Sequence, residues 1–216
     1  MSTPSVPYYP VLLDLRRRRA VVIGGGRVAE QKIEALVVAG AAVTVIAPRL
    51  SERLTALAVA GTIAWAPRPY RQGDLDGAFL AVAATDSPEL HRRVFAEAEL
   101  RAVPLNAVDD ISNCSVILPS VHRDGDLVVA VSTGGKAPAV AVRLREKISA
   151  LIGDGYDAYL ELLGSLRPQV TARFPTFEER RRVWYRIADS SAIELVRAGH
   201  LEAARRLVLD LLEEAA

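Results

Sequence analysis

The segment from Ala20 to Lys32, AVVIGGGRVAEQK, constrains the fold more than any other part of this sequence. Ala20-Val21-Val22-Ile23 is a short apolar run rich in β-branched residues, which reads as a buried parallel strand. Three glycines follow at once, and Val28, Ile33, Leu36 and Val37 then recur on what is expected to be one helical face. Gly24, Gly26 and Ala29 make a G-x-G-x-x-A pattern in the strand–turn–helix setting that this pattern requires. Each place asks for a small residue. Gly24 allows a tight turn, Gly26 lets backbone approach a pyrophosphate, and Ala29 lets the helix pack hard on the strand. The free N–H groups at the helix start face the anion. A glycine triplet alone marks only a turn, but with these flanks it marks a candidate dinucleotide site.

Composition narrows the class. With 216 residues, half of them hydrophobic, the chain can build one sizeable core and an appended second unit. A net charge of +1 argues against bulk nucleic-acid binding, which asks for a basic stripe. The run Arg16–Arg19 sits directly before the first strand and is expected to be a solvated turn. Cys114 is the only cysteine, which excludes an internal disulfide and fits a reducing cytoplasm. It is expected to be a buried or neutral thiol. His91, His122 and His200 are too widely spaced for a metal site and are expected to be surface or structural residues. No apolar run reaches the roughly 20 residues that cross a bilayer, and the proline-bearing start lacks the apolar core of a signal peptide. The expectation is a soluble cytoplasmic protein without membrane partners.

Downstream, apolar runs alternate with helical patterns. Strands are expected at 41–47, 62–66, 79–84 and 103–108, and helices at 51–60 and from Ser87 to about Leu100. Ser51 and Ser87 are N-cap candidates, with Pro88 at the first helical position. Such alternation implies an α/β fold, a Rossmann-type doubly wound parallel sheet with right-handed crossovers. The end of the second strand carries Ala47-Pro48-Arg49 and no acid for a ribose, so spacing alone leaves the choice of cofactor open. From Ser112 the texture changes. Runs at 116–121 and 127–132, separated by Arg123-Asp124-Gly125-Asp126, suggest a β-hairpin, followed by a helix over 139–152. Helical patterns at 156–166, 177–188 and 201–214 complete the chain. A hairpin too small for its own core and a helical tail are expected to finish their burial against a second copy.

Read together, GGGRVAEQK, AATD (Ala83–Asp86), NAVDD (Asn106–Asp110), ILPS (Ile117–Ser120) and VAVSTGGKAP (Val129–Pro138) make the sequence resemble the precorrin-2 dehydrogenases. That family includes the dehydrogenase/ferrochelatase module of siroheme synthase. The resemblance runs from about Tyr8 to Ile152, and ERRRVW (Glu179–Trp184) in the tail is also similar. It implies oxidation of precorrin-2, an octacarboxylate tetrapyrrole, to sirohydrochlorin with NAD as cofactor. The family uses NAD without an acidic residue at the second strand, and it includes fusions to a uroporphyrinogen methyltransferase, which this sequence reaches Ala216 without.

Carried over motif by motif, the resemblance places Gly24, Gly25, Gly26, Arg27 and Val28 on the pyrophosphate. It places Pro48 and Arg49 at the adenosine ribose, Thr85 and Asp86 near the nicotinamide half, and Asn106 at the carboxyl end of the fifth strand. Asp109 matches the catalytic aspartate, while Asp110 is expected to be a solvated strand-end group. Lys136 and Arg143 are candidates for the substrate carboxylates, since Lys136, Arg143, Arg145 and Lys147 face only Glu146 in charge. No metal ligands are expected. The expected organisation is an NAD-binding domain over 1–112, a dimerisation region over 113–152 and a C-terminal helical domain over 153–216, assembling as a homodimer. Iron insertion into sirohydrochlorin is a second possible activity, and a non-enzymatic NAD-sensing module is the alternative that needs the glycine loop but not Asp109.

Overall fold

A computed structural model describes residues 8–215; the proline-bearing segment 1–10 (Pro4, Pro7, Pro10) is expected from the sequence to be extended, and of it residues 1–7 lie outside the described residues. Contacts divide the chain into two compact units that meet between Leu118 and Pro119. The first unit is a five-stranded parallel sheet in the order β3-β2-β1-β4-β5. Its strands are β1 (Arg19–Ile23), β2 (Ala42–Ile46), β3 (Ala64–Ala66), β4 (Leu80–Ala83) and β5 (Leu105–Ala107). Helices α1 (Arg27–Val38), α2 (Glu52–Val59) and α3 (Pro88–Leu100) connect them.

The central strand explains why apolar runs, not alternating ones, encode this sheet. Successive side chains of β1 point to opposite faces, and both faces are covered. Ala20 and Val22 pack with Ala29, Ile33 and Leu36 of α1 and Leu54 of α2. Val21 and Ile23 join Val94 and Ala98 of α3 on the other face, with Tyr70 and Leu75 from the loop after β3. The caps follow the sequence. Ser51 Oγ accepts from the Leu54 N–H at 3.3 Å and Ser87 Oγ from the Leu90 N–H at 3.2 Å. After β1 the chain winds to β2 and β3 on one side, then crosses to β4 on the other. The carboxyl ends of β1 and β4 therefore flank the crevice where open sheets of this kind bind ligands.

The first unit extends past the expected boundary at residue 112. The N–H groups of Ser115 and Val116 both donate to Leu105 O at 3.0 Å, which ties this segment to β5. For the same reason Val116–Leu118 does not begin the hairpin. Its strands are β6 (Ser120–Asp124) and β7 (Leu127–Val131), antiparallel and joined by Gly125-Asp126, with Gly125 at φ 56°.

The hairpin, α4 (Pro138–Ile152) and the tail form the second unit. The tail comprises α5 (Tyr156–Arg173), α6 (Phe177–Ala188), α7 (Ala192–Arg197) and α8 (Leu201–Glu214). Helix α5 runs beyond the expected end at Leu166 and contains Pro168, and α7 was not foreseen from the sequence. Leu166, Val170, Ile187 and Val208 make a dry tail core. The hairpin and α4 have no such core. Between residues 119 and 152 only Ala141 is buried, while Val140, Leu144 and Leu151 stay exposed.

The tail core yields a direct expectation. Ile187 is fully buried, so Ile187→Ala should cost about 2–5 kcal/mol in denaturant unfolding of the tail, the usual range for truncating a buried isoleucine.

Candidate functional site

Two adjoining clefts open at the carboxyl end of the sheet, of about 710 and 510 Å³. Thr85, just after β4, lines both. Gly24, Gly25, Pro48, Arg49 and Arg93 line the smaller one. Val28, Asp86, His91, Asp109 and Asp110 line the larger one.

The three glycines do different work. Gly24 sits at φ 122°, and a Cβ there would stand 2.1 Å from Ala84 O. It is glycine so that β1 and β4 can end side by side. A Cβ on Gly25 would meet Arg49 O at 2.3 Å, and Gly25 O accepts from the Ser51 N–H at 2.8 Å, so this residue clamps the loop to the end of β2. A Cβ on Gly26 would meet nothing within 4 Å. That open space lies at the start of α1, where Gly26 is an N-cap with no side chain to occupy the first N–H groups. A phosphate group fits such a helix start. Thr85 supplies a second feature that suits a bound group. Its hydroxyl is buried and has no hydrogen-bond partner, at the junction of the two clefts. The residues present thus suit a dinucleotide lying across both.

Pro48 and Arg49 line the smaller cleft, together with Arg93 and Glu89 of α3. Trp65 Nε1 donates to Ala47 O at 2.9 Å and fixes the end of β2 behind them. The larger cleft corrects several expectations. Val28 is 49% exposed and lines the cleft, while Ala29 takes its place in the core. At about 100° per residue Val28 lies some 140° around the helix from Ile33, so the two cannot share a face. Arg27 is exposed at the first position of α1 and lines neither cleft. Asn106 also lines neither. It is buried, and its amide donates to Val116 O at 3.0 Å, so it joins β5 to the following segment rather than presenting itself to a cofactor.

Asp109 is exposed in the larger cleft and holds φ 59°, a left-handed conformation that Asp tolerates better than most residues. Asp110 is not the solvated strand-end group that was expected. Its carboxylate accepts from Ser112 Oγ and Asn113 Nδ2, each at 2.7 Å, and stands 3.3 Å from His91 Nδ1. These donors hold its carboxyl below the usual carboxylate range. His91 is only 4% exposed and stands at the wall of the cleft, so it is a buried structural residue and not a surface one. Sequence reading missed this pair. Its one signal was that His91 falls four residues after the cap Ser87, one turn into α3 and next to the cleft. Cys114 matches expectation: it is half-buried, hydrogen-bonded to Ala107, and burial pushes its thiol up.

Lys136 and Arg143 belong to the second unit, and both are exposed there. Arg143 pairs with Glu146 at 2.8 Å, as a solvated helix face would. Among the described residues no group of three or more His, Cys, Asp and Glu could hold a metal ion, and no helix is long and apolar enough to cross a membrane.

Comparison with known proteins bears on this site. The family model described as putative NAD(P)-binding matches residues 11–120, more than half of the chain. The chain belongs to this NAD(P)-binding family. Residues 124–151 match the central region of a sirohaem biosynthesis protein, and residues 155–212 match a sirohaem synthase dimerisation region. The dimerisation match therefore falls on the helical tail and not on 113–152.

Siroheme synthase 1 of Pectobacterium atrosepticum is 41% identical over 197 residues, covering 91% of this chain and 41% of its own length. Siroheme synthase of Chromobacterium violaceum is 39% identical over 198 residues, covering 92% of this chain and 42% of its own length. The chain thus spans about two fifths of these curated relatives. Among solved structures, one described as SirC, precorrin-2 dehydrogenase, superposes with a TM-score of 0.72 at 23% identity, over 96% of this chain and all of that one. That likeness establishes the shared fold.

The open space at Gly26 makes a clean test of the family's cofactor. Gly26→Asp should fold, since its Cβ meets nothing and φ is −93°. Its charge at the helix start should weaken NAD⁺ by at least about 2 kcal/mol in calorimetry. Unchanged affinity would move the pyrophosphate elsewhere.

Proposed function

We propose that the chain is an NAD-dependent precorrin-2 dehydrogenase that forms sirohydrochlorin in the cytoplasm. One observation carries this reading. Asp109 projects, in a left-handed conformation, into the same cleft that Thr85 and Asp86 line from the end of β4. Bound NAD⁺ supplies the hydride acceptor. The protein's part is to hold that cofactor and remove a proton from the macrocycle. The helix start at Gly26 takes the pyrophosphate, the Thr85 hydroxyl gains the partner it lacks, and Pro48 and Arg49 line the adenosine side. Asp109 accepts the proton as general base. Lys136 and Arg143 remain the candidates for substrate carboxylates, Arg143 exchanging Glu146 for one of them. The similarity to siroheme synthases and to a precorrin-2 dehydrogenase fold supports the assignment.

An anaerobic assay with precorrin-2 and NAD⁺, followed by NADH absorbance, tests the reading against a sensor that binds cofactor without turnover. Asp109→Asn keeps the side chain's size but removes the proton acceptor. NADH formation should fall by about 10²–10⁴-fold, the usual worth of a positioned base, with cofactor affinity and melting temperature nearly unchanged. Near-normal turnover in this variant would remove Asp109 from the base role.

The reading includes a homodimer. A hairpin and α4 with Ala141 alone buried between residues 119 and 152, next to a tail that matches a dimerisation region, suit burial by a second copy. Sedimentation at micromolar concentration should find a dimer, and a stable folded monomer would contradict it.

A further inference from the structure

The loop that carries Asp109 is tied to β5 by the strand end it follows, and to α3 at one side-chain point. Among the described residues, the hydrogen bonds of residues 109–113 are otherwise local to their own segment. Asp110 N–H donates to Ala107 O at 3.3 Å and Asn113 N–H to Asp110 O at 3.1 Å. Ser112 and Asn113 donate to the Asp110 carboxylate, and Cys114 Sγ donates to Asp110 O. The Asp110 N–H bond holds the loop to the end of β5, and the others lie within the loop. Of the side-chain hydrogen bonds of residues 109–113, only the contact between His91 Nδ1 and Asp110 Oδ2 reaches another element, α3, across nineteen residues of sequence. Because Asp110 is held as a carboxylate, it is an acceptor, and Nδ1 of His91 is the donor. The opposite nitrogen, Nε2, is buried without a partner, so the ring's one hydrogen bond among the described residues is this one.

The helix at the other end of that bond is not an arbitrary anchor. Helix α3 starts at Ser87, directly after Thr85 and Asp86, and Ser87, Leu90 and Arg93 of its first turns line the smaller cleft. A shift of α3 therefore moves the cofactor corner and Asp109 together. From this arrangement we infer that His91 is a positioning residue. Through Asp110 it fixes the left-handed backbone of Asp109 and sets the base at a constant place relative to the Thr85–Asp86 corner. The inference rests on the proposed dehydrogenase reading for its catalytic consequence, but not for its structural one. Left-handed backbone at a non-glycine residue carries strain that surrounding contacts offset, and the His91 bond is the side-chain contact that reaches this loop from another element.

Two variants separate positioning from packing. His91→Leu fills the buried space but removes the donor. His91→Asn places an amide nitrogen close to where Nδ1 stands, yet lacks Nε2 and leaves a small void. In the anaerobic assay His91→Leu should lose about 10–100-fold in kcat, the scale of a misplacement of about 1 Å, with KM and NAD⁺ affinity changed less than about twofold. His91→Asn should recover kcat to within about threefold of the parent even if its melting temperature is lower, because misplacement and not lost packing sets the rate. A crystal structure of unliganded His91→Leu should show Asp109 outside the left-handed region. Three results would overturn the inference: parental kcat in His91→Leu, equal loss in both variants, or an unmoved Asp109 backbone. A parent protein that forms no NADH would instead defeat the dehydrogenase reading, while the backbone of Asp109 in His91→Leu would still decide the positioning role.

Discussion

The approach of Gly24 to the carbonyl of Ala84 is the contact on which the first unit depends. Strands β1 and β4 run in register up to Ile23 and Ala83, and the next residues of each must part company within one peptide. One chain turns into α1, the other into the Thr85–Asp86 corner and α3. The space between them exists only because Gly24 has no side chain, since a Cβ would overlap Ala84 O. Any larger residue would force the two strand ends apart and carry the helix start at Gly26 away from Thr85. The alignment of a helix N-terminus, a buried free hydroxyl and an exposed aspartate is thus set by one backbone contact at the point where the sheet changes winding direction.

Much of this was legible in the sequence, and the parts that were not share a cause. The parallel strands were readable because double-sided burial makes them plain apolar runs, and Ser51 and Ser87 because capping has a fixed local chemistry. The need for glycine at Gly24 was readable because a strand that ends in a tight turn beside its neighbour leaves no room for a side chain, whereas at Gly26 the protein's own backbone leaves open space. By contrast, Val116–Leu118 has the composition of a strand, but its first backbone groups are taken by Leu105, a partner that no local pattern announces. The helical pattern from Tyr156 ended at Leu166, yet Leu166 and Val170 on either side of Pro168 are buried in the tail core, and their packing carries α5 through the proline. The His91–Asp110 bond is the clearest case. It joins residues nineteen apart on different elements, and neither helical nor strand periodicity leaves a trace of it. Asn106 was placed on the right strand end, but which way its amide turned depended on the later segment that folds back over it.

The second unit divides its stability unevenly. Its tail has a core of its own around Ile187 and Val208, whereas the apolar side chains of the hairpin and α4, Ala141 apart, are at least partly exposed. One tie between them is the Tyr156 N–H, which donates to the Asp124 carboxylate at 2.8 Å and so attaches the first turn of α5 to the hairpin's end. A charge-assisted bond of this kind orients the two pieces without burying much surface. The arrangement resembles a firm base with a softer arm, in which the basic residues Lys136, Arg143, Arg145 and Lys147 ride on the softer part.

Thr85 gives the first unit an unusual energetic character. A buried hydroxyl without a partner costs about 1–3 kcal/mol relative to one that is satisfied, and a valine would match its shape with no such cost. A threonine at this place therefore has its value in what it can offer a group bound at the junction of the two clefts, and valine would keep its shape while withdrawing that one donor and acceptor.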